Sequence, residues 1–169
     1  MLKYMVLSLA TLTLPAMAQE NLQFDAAVLE TCLDKAGQDE KPDRESCIGL
    51  ASDQCMESDI GQTTMGMSLC LDREREVWDA KLNESYQTLM AYAVSNDVDM
   101  EELGSAAEKQ VPFLQKMQRN WISYRDAACQ FERSQWGGGT GGGPSEMHCL
   151  MVLTARQYLW LQQYLNEGA

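Results

Sequence analysis

The chain has 169 residues, 45% of them hydrophobic, and its 25 acidic residues outnumber 13 basic ones to give a formal charge of −12. That length is enough for one domain with a real core. The charge argues against nucleic acid as a partner, because phosphate would repel the chain, and it would steer a cationic partner toward it.

The first residues read as an export signal. Lys3 supplies a positive start, Met5 to Leu14 is apolar, and Pro15-Ala16-Met17-Ala18 carries a small-residue A-x-A cleavage site, the three-part pattern of a secretory signal peptide. The apolar run is about half the ~20 residues that a membrane span needs. Residues 1–18 are therefore assigned to a signal peptide. The mature chain is expected to begin near Gln19, with 151 residues and a charge of −13 once Lys3 is gone. No cysteine follows the cleavage site to take a lipid anchor, and no later segment is long and apolar enough to span a bilayer.

Gln23 to Ala36 reads as a helix with Phe24, Ala27, Val28, Thr31 and Cys32 on one face, stopped at Gly37. Asp43 to Glu57 reads as a second, with Cys47, Ile48, Leu50, Ala51 and Cys55 spaced by threes and fours. Met67 to Ser95 reads as a long helix whose seam is Leu71, Trp78, Leu82, Leu89 and Ala93, with Tyr86 beside it. Its other faces carry a solvated mix that includes Asp72, Glu74, Arg75 and Lys81, and Asn96-Asp97 is the expected break. Asp99 to Lys109 reads as a short helix capped by Asp99, with Glu102 three residues on as in a capping box. The carboxylates at Asp97, Asp99, Glu101 and Glu102 fit dipole complementarity at that N-terminus better than an ion site.

Pro112 suits the first turn of the next helix, where Leu114, Met117, Trp121, Tyr124, Ala128 and Phe131 step by alternating threes and fours, an a/d seam. Ser145 to Leu165 is the last helix, with Cys149, Leu150, Leu153, Tyr158, Leu161 and Leu165 as its apolar set. Between these two helices lies Gly137-Gly138-Gly139-Thr140-Gly141-Gly142-Gly143. No β-type alternation occurs. The expected class is all-α: a small disulfide-stapled bundle of three long helices, residues 67–169, preceded by a cysteine-containing helical hairpin, residues 19–66.

Six cysteines in an exported chain point to three disulfides. Two antiparallel helices bring residues equidistant from their turn side by side. The turn signals at Gly37 to Pro42, at Ser58 to Thr64 and in the glycine run each lie about midway between neighbouring cysteines. That symmetry predicts Cys32–Cys47, Cys55–Cys70 and Cys129–Cys149, each worth about 3 kcal/mol before strain. With no C-x-x-C and one histidine, zinc is disfavoured. The glycine run matches no phosphate-cradling pattern and follows no strand. No nucleophile, base, metal set or cofactor loop assembles, so no catalytic residue, cofactor or metal is assigned and the chain is not read as an enzyme. Arg125-Asp126, abutting the apolar seam after Trp121 and Tyr124, is costly unless hydrogen-bonded. Its expected role is to hold carbonyls or a carboxylate near the cystine loop.

The same residues carry a family resemblance. Cys70, Leu82-Asn83-Glu84-Ser85-Tyr86-Gln87-Thr88-Leu89-Met90, Trp121-Ile122-Ser123-Tyr124-Arg125-Asp126-Ala127-Ala128-Cys129, Cys149-Leu150 and Thr154 with Arg156 follow in the order found in the LprI-type lysozyme-inhibitor family. The likeness covers about residues 67–165, and the hairpin before Cys70 is an elaboration on it. The resemblance implies an exported, periplasmic bacterial protein that binds and inhibits a lysozyme. The alternative function is a non-inhibitory envelope protein of stress tolerance or assembly. An acidic chain would attract a cationic lysozyme, and a glycine-rich loop closed by Cys129–Cys149 would enter a cleft at limited ordering cost. The candidate contact residues are Gly137, Gly138, Gly139, Thr140, Gly141, Gly142, Gly143, Ser145, Glu146 and His148, with Trp121, Tyr124, Arg125 and Asp126 as the motif residues.

Overall fold

The computed structural model describes residues 22–38 and 43–167. The expected signal peptide and the first residues of the mature chain lie outside the described residues. Five α-helices and one short 3-10 turn make up the architecture, and the described residues contain no strand. The helices are α1 (Ala27–Ala36), α2 (Leu50–Met56), α3 (Thr64–Glu102), α4 (Gln110–Ser134) and α5 (Gly142–Glu167), and the 3-10 turn, Arg44–Cys47, lies between α1 and α2. Among the described residues no helix is long and apolar enough to cross a membrane.

Helix α3 is the spine. Its 39 residues span about 58 Å at 1.5 Å per residue. Helix α4 returns antiparallel to it, and α5 runs back in the direction of α3, so that Trp78 of α3 meets Tyr158 of α5 with ring centroids 5.6 Å apart. The α3–α5 pair forms the broadest helix–helix interface. Leu71, Trp78 and Leu82 from α3 are buried there with Met151, Ala155 and Leu161 from α5. The hairpin of α1, the 3-10 turn and α2 covers the N-terminal half of this pair, placing Leu29, Ala36, Cys47 and Ala51 in the same core.

Three disulfides staple the frame. Cys32–Cys47 ties α1 to the 3-10 turn, Cys55–Cys70 ties α2 to α3, and Cys129–Cys149 ties α4 to α5. Each joins cysteines on either side of one connection. No free cysteine is present among the described residues.

Several elements differ from the sequence reading. Helix α1 begins at Ala27, not Gln23. Its buried residues are Leu29 and Ala36, while Ala27 and Thr31, expected inside, are exposed. The single helix expected over Asp43–Glu57 is two pieces. Gly49 between them has φ +97°, a left-handed conformation open to glycine and strained for other residues. The threes-and-fours spacing of apolar residues survives this interruption, and so it read as one helix.

The long helix starts at Thr64, where the Thr63 hydroxyl accepts from Gly66 N–H at 3.0 Å. It runs through Asn96-Asp97 to Glu102, so neither the expected break nor a separate Asp99–Lys109 helix exists. Low propensity at two positions is a weak signal against a continuing helix. The true stop is Gly104, with φ +63°. Ser105 N–H donates to Met100 C=O at 2.9 Å and Gly104 N–H to Glu101 C=O at 3.0 Å, the paired bonds of a Schellman C-cap. Asp97 has a different task. Its carboxylate accepts from Gln110 N–H at 2.6 Å and Val111 N–H at 3.1 Å, capping the start of α4 from within α3.

Glu74, read as part of a solvated face, is fully buried. Its Oε1 accepts from Gly49 N–H at 2.6 Å and from Trp78 Nε1 at 2.9 Å, and its Oε2 accepts from Ser52 N–H at 2.7 Å. The carboxylate thus pins the α2 end of the hairpin onto α3. Ion pairs add two more ties: Lys81 to Glu30 at 2.7 Å and Arg156 to Glu45 at 3.3 Å.

Candidate functional site

The expected seam of α4 is rotated from the one observed. Tyr124 and Phe131 are each 64% exposed, whereas Gln118 and Cys129 are the buried residues of this helix. Helix α4 meets α5 at Gln118 and Cys129, and Trp121 and Arg125, partly buried, lie between them on the same stripe. Gln118 is paired with Gln157, whose Nε2 donates to its Oε1 at 3.2 Å. A polar pair therefore occupies a position that apolar periodicity assigned to its neighbour Met117.

Arg125 lies on this inner stripe. Its guanidinium donates through Nε and Nη2 to Asp126 Oδ1 at 2.9 and 2.8 Å. The guanidinium carbon sits 4.9 Å from the centroid of the Trp121 ring, within range of a cation–π contact. The carboxylate expected for Arg125 is thus its own neighbour, one turn before the Cys129–Cys149 bridge. Trp121, Arg125 and Asp126 come together in one cluster, and Tyr124 points away from it into solvent.

The glycine run forms a compact connection. Helix α5 starts at Gly142, so Gly142, Gly143, Ser145, Glu146 and His148 belong to helix and the non-helical link is residues 135–141. Gly137 and Gly138 take positive φ. The Trp136 ring lies over Gly141 so closely that a Cβ there would overlap it, yet Trp136 remains 52% exposed. Arg133 bridges to Glu146 at 2.6 Å across the turn. The glycine-rich loop expected between the two helices is thus a seven-residue turn, residues 135–141, with Trp136 on its outside. The local signal for this was Trp136 itself, the one large side chain at the mouth of the run.

Two surface depressions flank the turn. A groove of about 570 Å³ between α4 and α5 is lined by Tyr124, Ala128, Phe131, His148, Val152 and Leu153. A cleft of about 770 Å³ separates the turn from the start of α3, between Met65 and Ser68 on one side and Arg133, Gly139 and Thr140 on the other. Of the candidate contact residues, Gly138, Gly139, Thr140, Gly142 and Gly143 border the cleft and Ser145 and His148 the groove, whereas Gly137, Gly141 and Glu146 line neither. What they offer is exposed aromatic surface, one imidazole and hydroxyls. Among the described residues no group of three or more His, Cys, Asp or Glu is placed to hold a metal ion.

Three long helices, closed by disulfides, define the class of this molecule as a disulfide-stapled helical bundle. Residues 55–161 match the family described as lysozyme inhibitor LprI, and the chain belongs to that family. The match begins at Cys55, earlier than the motif residues imply, and takes in only the last two residues of α2, Cys55 and Met56, together with α3, α4 and α5 up to Leu161. The family description is of an enzyme inhibitor rather than an enzyme, and it implies a lysozyme as partner. Family and disulfides together are consistent with an exported protein. The chain is also similar to a protein of Rhizobium meliloti (strain 1021) described as uncharacterized, with 27% identity over 124 residues, which is 72% of this chain and 89% of the relative. No solved structure gives a significant match.

Proposed function

We propose that this protein is an exported, periplasmic, acidic inhibitor of a cationic lysozyme, acting by docking rather than by chemical conversion. The observation that carries the reading is the match to the lysozyme-inhibitor family over residues 55–161. The formal charge of −12 supports a cationic partner, since opposite charge raises the encounter rate and tightens with falling salt. The end of the bundle at the Cys129–Cys149 staple is the proposed blocking surface, with Trp136 on the turn and Tyr124, Phe131 and His148 along the adjoining groove. Exposed aromatic side chains on a braced frame give contact area at low ordering cost.

The test is a titration of purified mature protein into lysozymes of different charge, read by clearance of a bacterial suspension. Loss of lysis near equimolar protein, for the cationic enzymes first, is the expected result. Undiminished lysis at large excess, with capture of a resident envelope protein instead, would establish the non-inhibitory envelope role.

A further inference from the structure

The charge is unevenly placed. Among the described residues before Thr64, eight are acidic and two are basic, whereas the much longer stretch from Thr64 onward has fourteen acidic and nine basic. The bundle balances most of its cations internally, in pairs such as Arg75–Asp72, Lys109–Glu101 and Arg133–Glu146. The ion pairs of the hairpin, among the described residues, are those of the two carboxylates that face the bundle, Glu30 with Lys81 and Glu45 with Arg156. Its outward carboxylates, among them Asp25, Asp43, Asp53 and Glu57, are exposed and make no ion pair among the described residues.

This surface is also shaped. A groove of about 640 Å³ runs between α1 and the 3-10 turn, with Val28 and Leu50 on its walls, Asp25 and Asp43 on its rim and Lys35 as its one cation among the described residues. A second of similar size, about 640 Å³, lies across Asp25 from the first and is lined by Phe24, Gln54 and Glu57. Leu50 is 40% exposed although it begins a helix packed on the core. Two disulfides, the buried Glu74 carboxylate and two ion pairs hold the hairpin in place, so little ordering entropy remains to be lost on contact.

Resting on the lysozyme reading above, we propose that the stapled N-terminal hairpin is a second docking face for the cationic enzyme, one that captures it by charge, in addition to the blocking surface at the glycine turn. Apolar contact is made in the first groove, at Val28 and Leu50, and the outward carboxylates, including Glu57 in the mostly polar second groove, pair with lysine and arginine of the partner. A second copy of this chain would bring like charge to the same face and nucleic acid would be repelled. The part of the hairpin before Cys55 lies outside the family match, so this face is a feature by which the chain sets its own affinity within the family.

The experiment measures association and dissociation rates of the full mature protein with a strongly cationic lysozyme at low and moderate salt, alongside clearance assays. Asp25→Asn/Asp43→Asn/Glu57→Gln is compared with Asp99→Asn/Glu102→Gln/Glu108→Gln, which removes the same charge from the far end of α3 and the link that follows it. All six positions are exposed, and circular dichroism with thermal melting verifies that both triples stay folded. A single Glu57→Lys reversal is the second hairpin variant. The hairpin triple is expected to weaken affinity at least about tenfold, mainly through association rate, and to flatten the salt dependence. The distal triple is expected to change affinity less than about threefold. Equal effects from the two triples, or a hairpin triple and a reversal that both bind as the parent does, would overturn the docking face while leaving inhibition intact. A parent protein that neither binds nor inhibits the enzyme would overturn the lysozyme reading and this proposal with it.

Discussion

Glu74 and Gly49 stand 25 residues apart in the chain, and the glycine N–H donates to the glutamate Oε1 across 2.6 Å in a fully buried setting. The same carboxylate takes Ser52 N–H and Trp78 Nε1. A helix side chain thus supplies the acceptors that the start of α2 lacks. Replacing Glu74 by Gln puts an amide donor against at least one of these N–H groups, and replacing it by Leu leaves all three without an acceptor. An unsatisfied buried donor costs about 1–3 kcal/mol. Urea unfolding should therefore show Glu74→Gln destabilised by about 2 kcal/mol and Glu74→Leu by more. A Glu74→Leu protein as stable as the parent would mean the carboxylate is replaceable by packing alone.

Asp97 does for α4 what Glu74 does for α2. Asp97→Ala removes the acceptor for Gln110 and Val111 N–H and should cost about 1 kcal/mol, the usual value of a lost N-cap. Hydrogen exchange at those two amides is the sharper readout. Their protection should fall in Asp97→Ala and persist largely in Asp97→Asn, while the middle of α3 stays protected in both. Fraying of α3 at Asp97 itself would show that the residue serves its own helix instead.

Burial pushes the Tyr158 hydroxyl above the ordinary phenol range, with Lys81 and Arg44 pulling it partway back and Glu30 and Glu84 adding to the rise. A pKa raised by folding means that the folded chain holds the proton more tightly than the unfolded one. The stability this group contributes is then complete below its unfolded value of about 10 and is lost as pH climbs through the folded value. Denaturant midpoints measured between about pH 9 and pH 11.5 should decline more steeply for the parent than for Tyr158→Phe. Parallel curves would show that other groups carry the alkaline loss.

The Cys129–Cys149 bridge closes a segment 20 residues long. Replacing both cysteines with serine should lower stability by about 3 kcal/mol by the loop-entropy estimate, equivalent to a drop of roughly 6–12 °C in melting temperature for a domain of this size. Helix content at room temperature should be retained, because α4 and α5 stay joined through Gln118–Gln157 and Arg133–Glu146. A melting temperature unchanged within a degree would indicate that the bridge adds nothing beyond the packing around it.

The glycine turn shows where residue counts mislead. Seven positions with six glycines read as a flexible loop, because glycine costs the most entropy to order. Trp136 lies across Gly141 and Arg133 reaches Glu146, contacts between residues on opposite sides of the turn. Nothing in the local pattern gives their direction. The α4 seam misleads for a related reason. The apolar series through Tyr124 and Phe131 and the buried series through Gln118 and Cys129 differ by about one position, which on a helix is about 100° of rotation. Periodicity identifies that a stripe exists, while the facing helix selects which stripe is covered.

The helical class, the three long helices and the pairing of neighbouring cysteines about their turns are legible in the residues alone, because each depends on spacing within one element or one hairpin. The continuity of α3 past Asp97, the inward turn of Glu74, the exposure of Tyr124 and Phe131 and the folding-down of the glycine run emerged only in three dimensions. Each depends on a partner, Gly49, Gln110, α5 or Gly141, whose position is set by other parts of the chain. Local spacing fixes which face of a helix can be apolar; the free energy of burying it is decided by what that face meets.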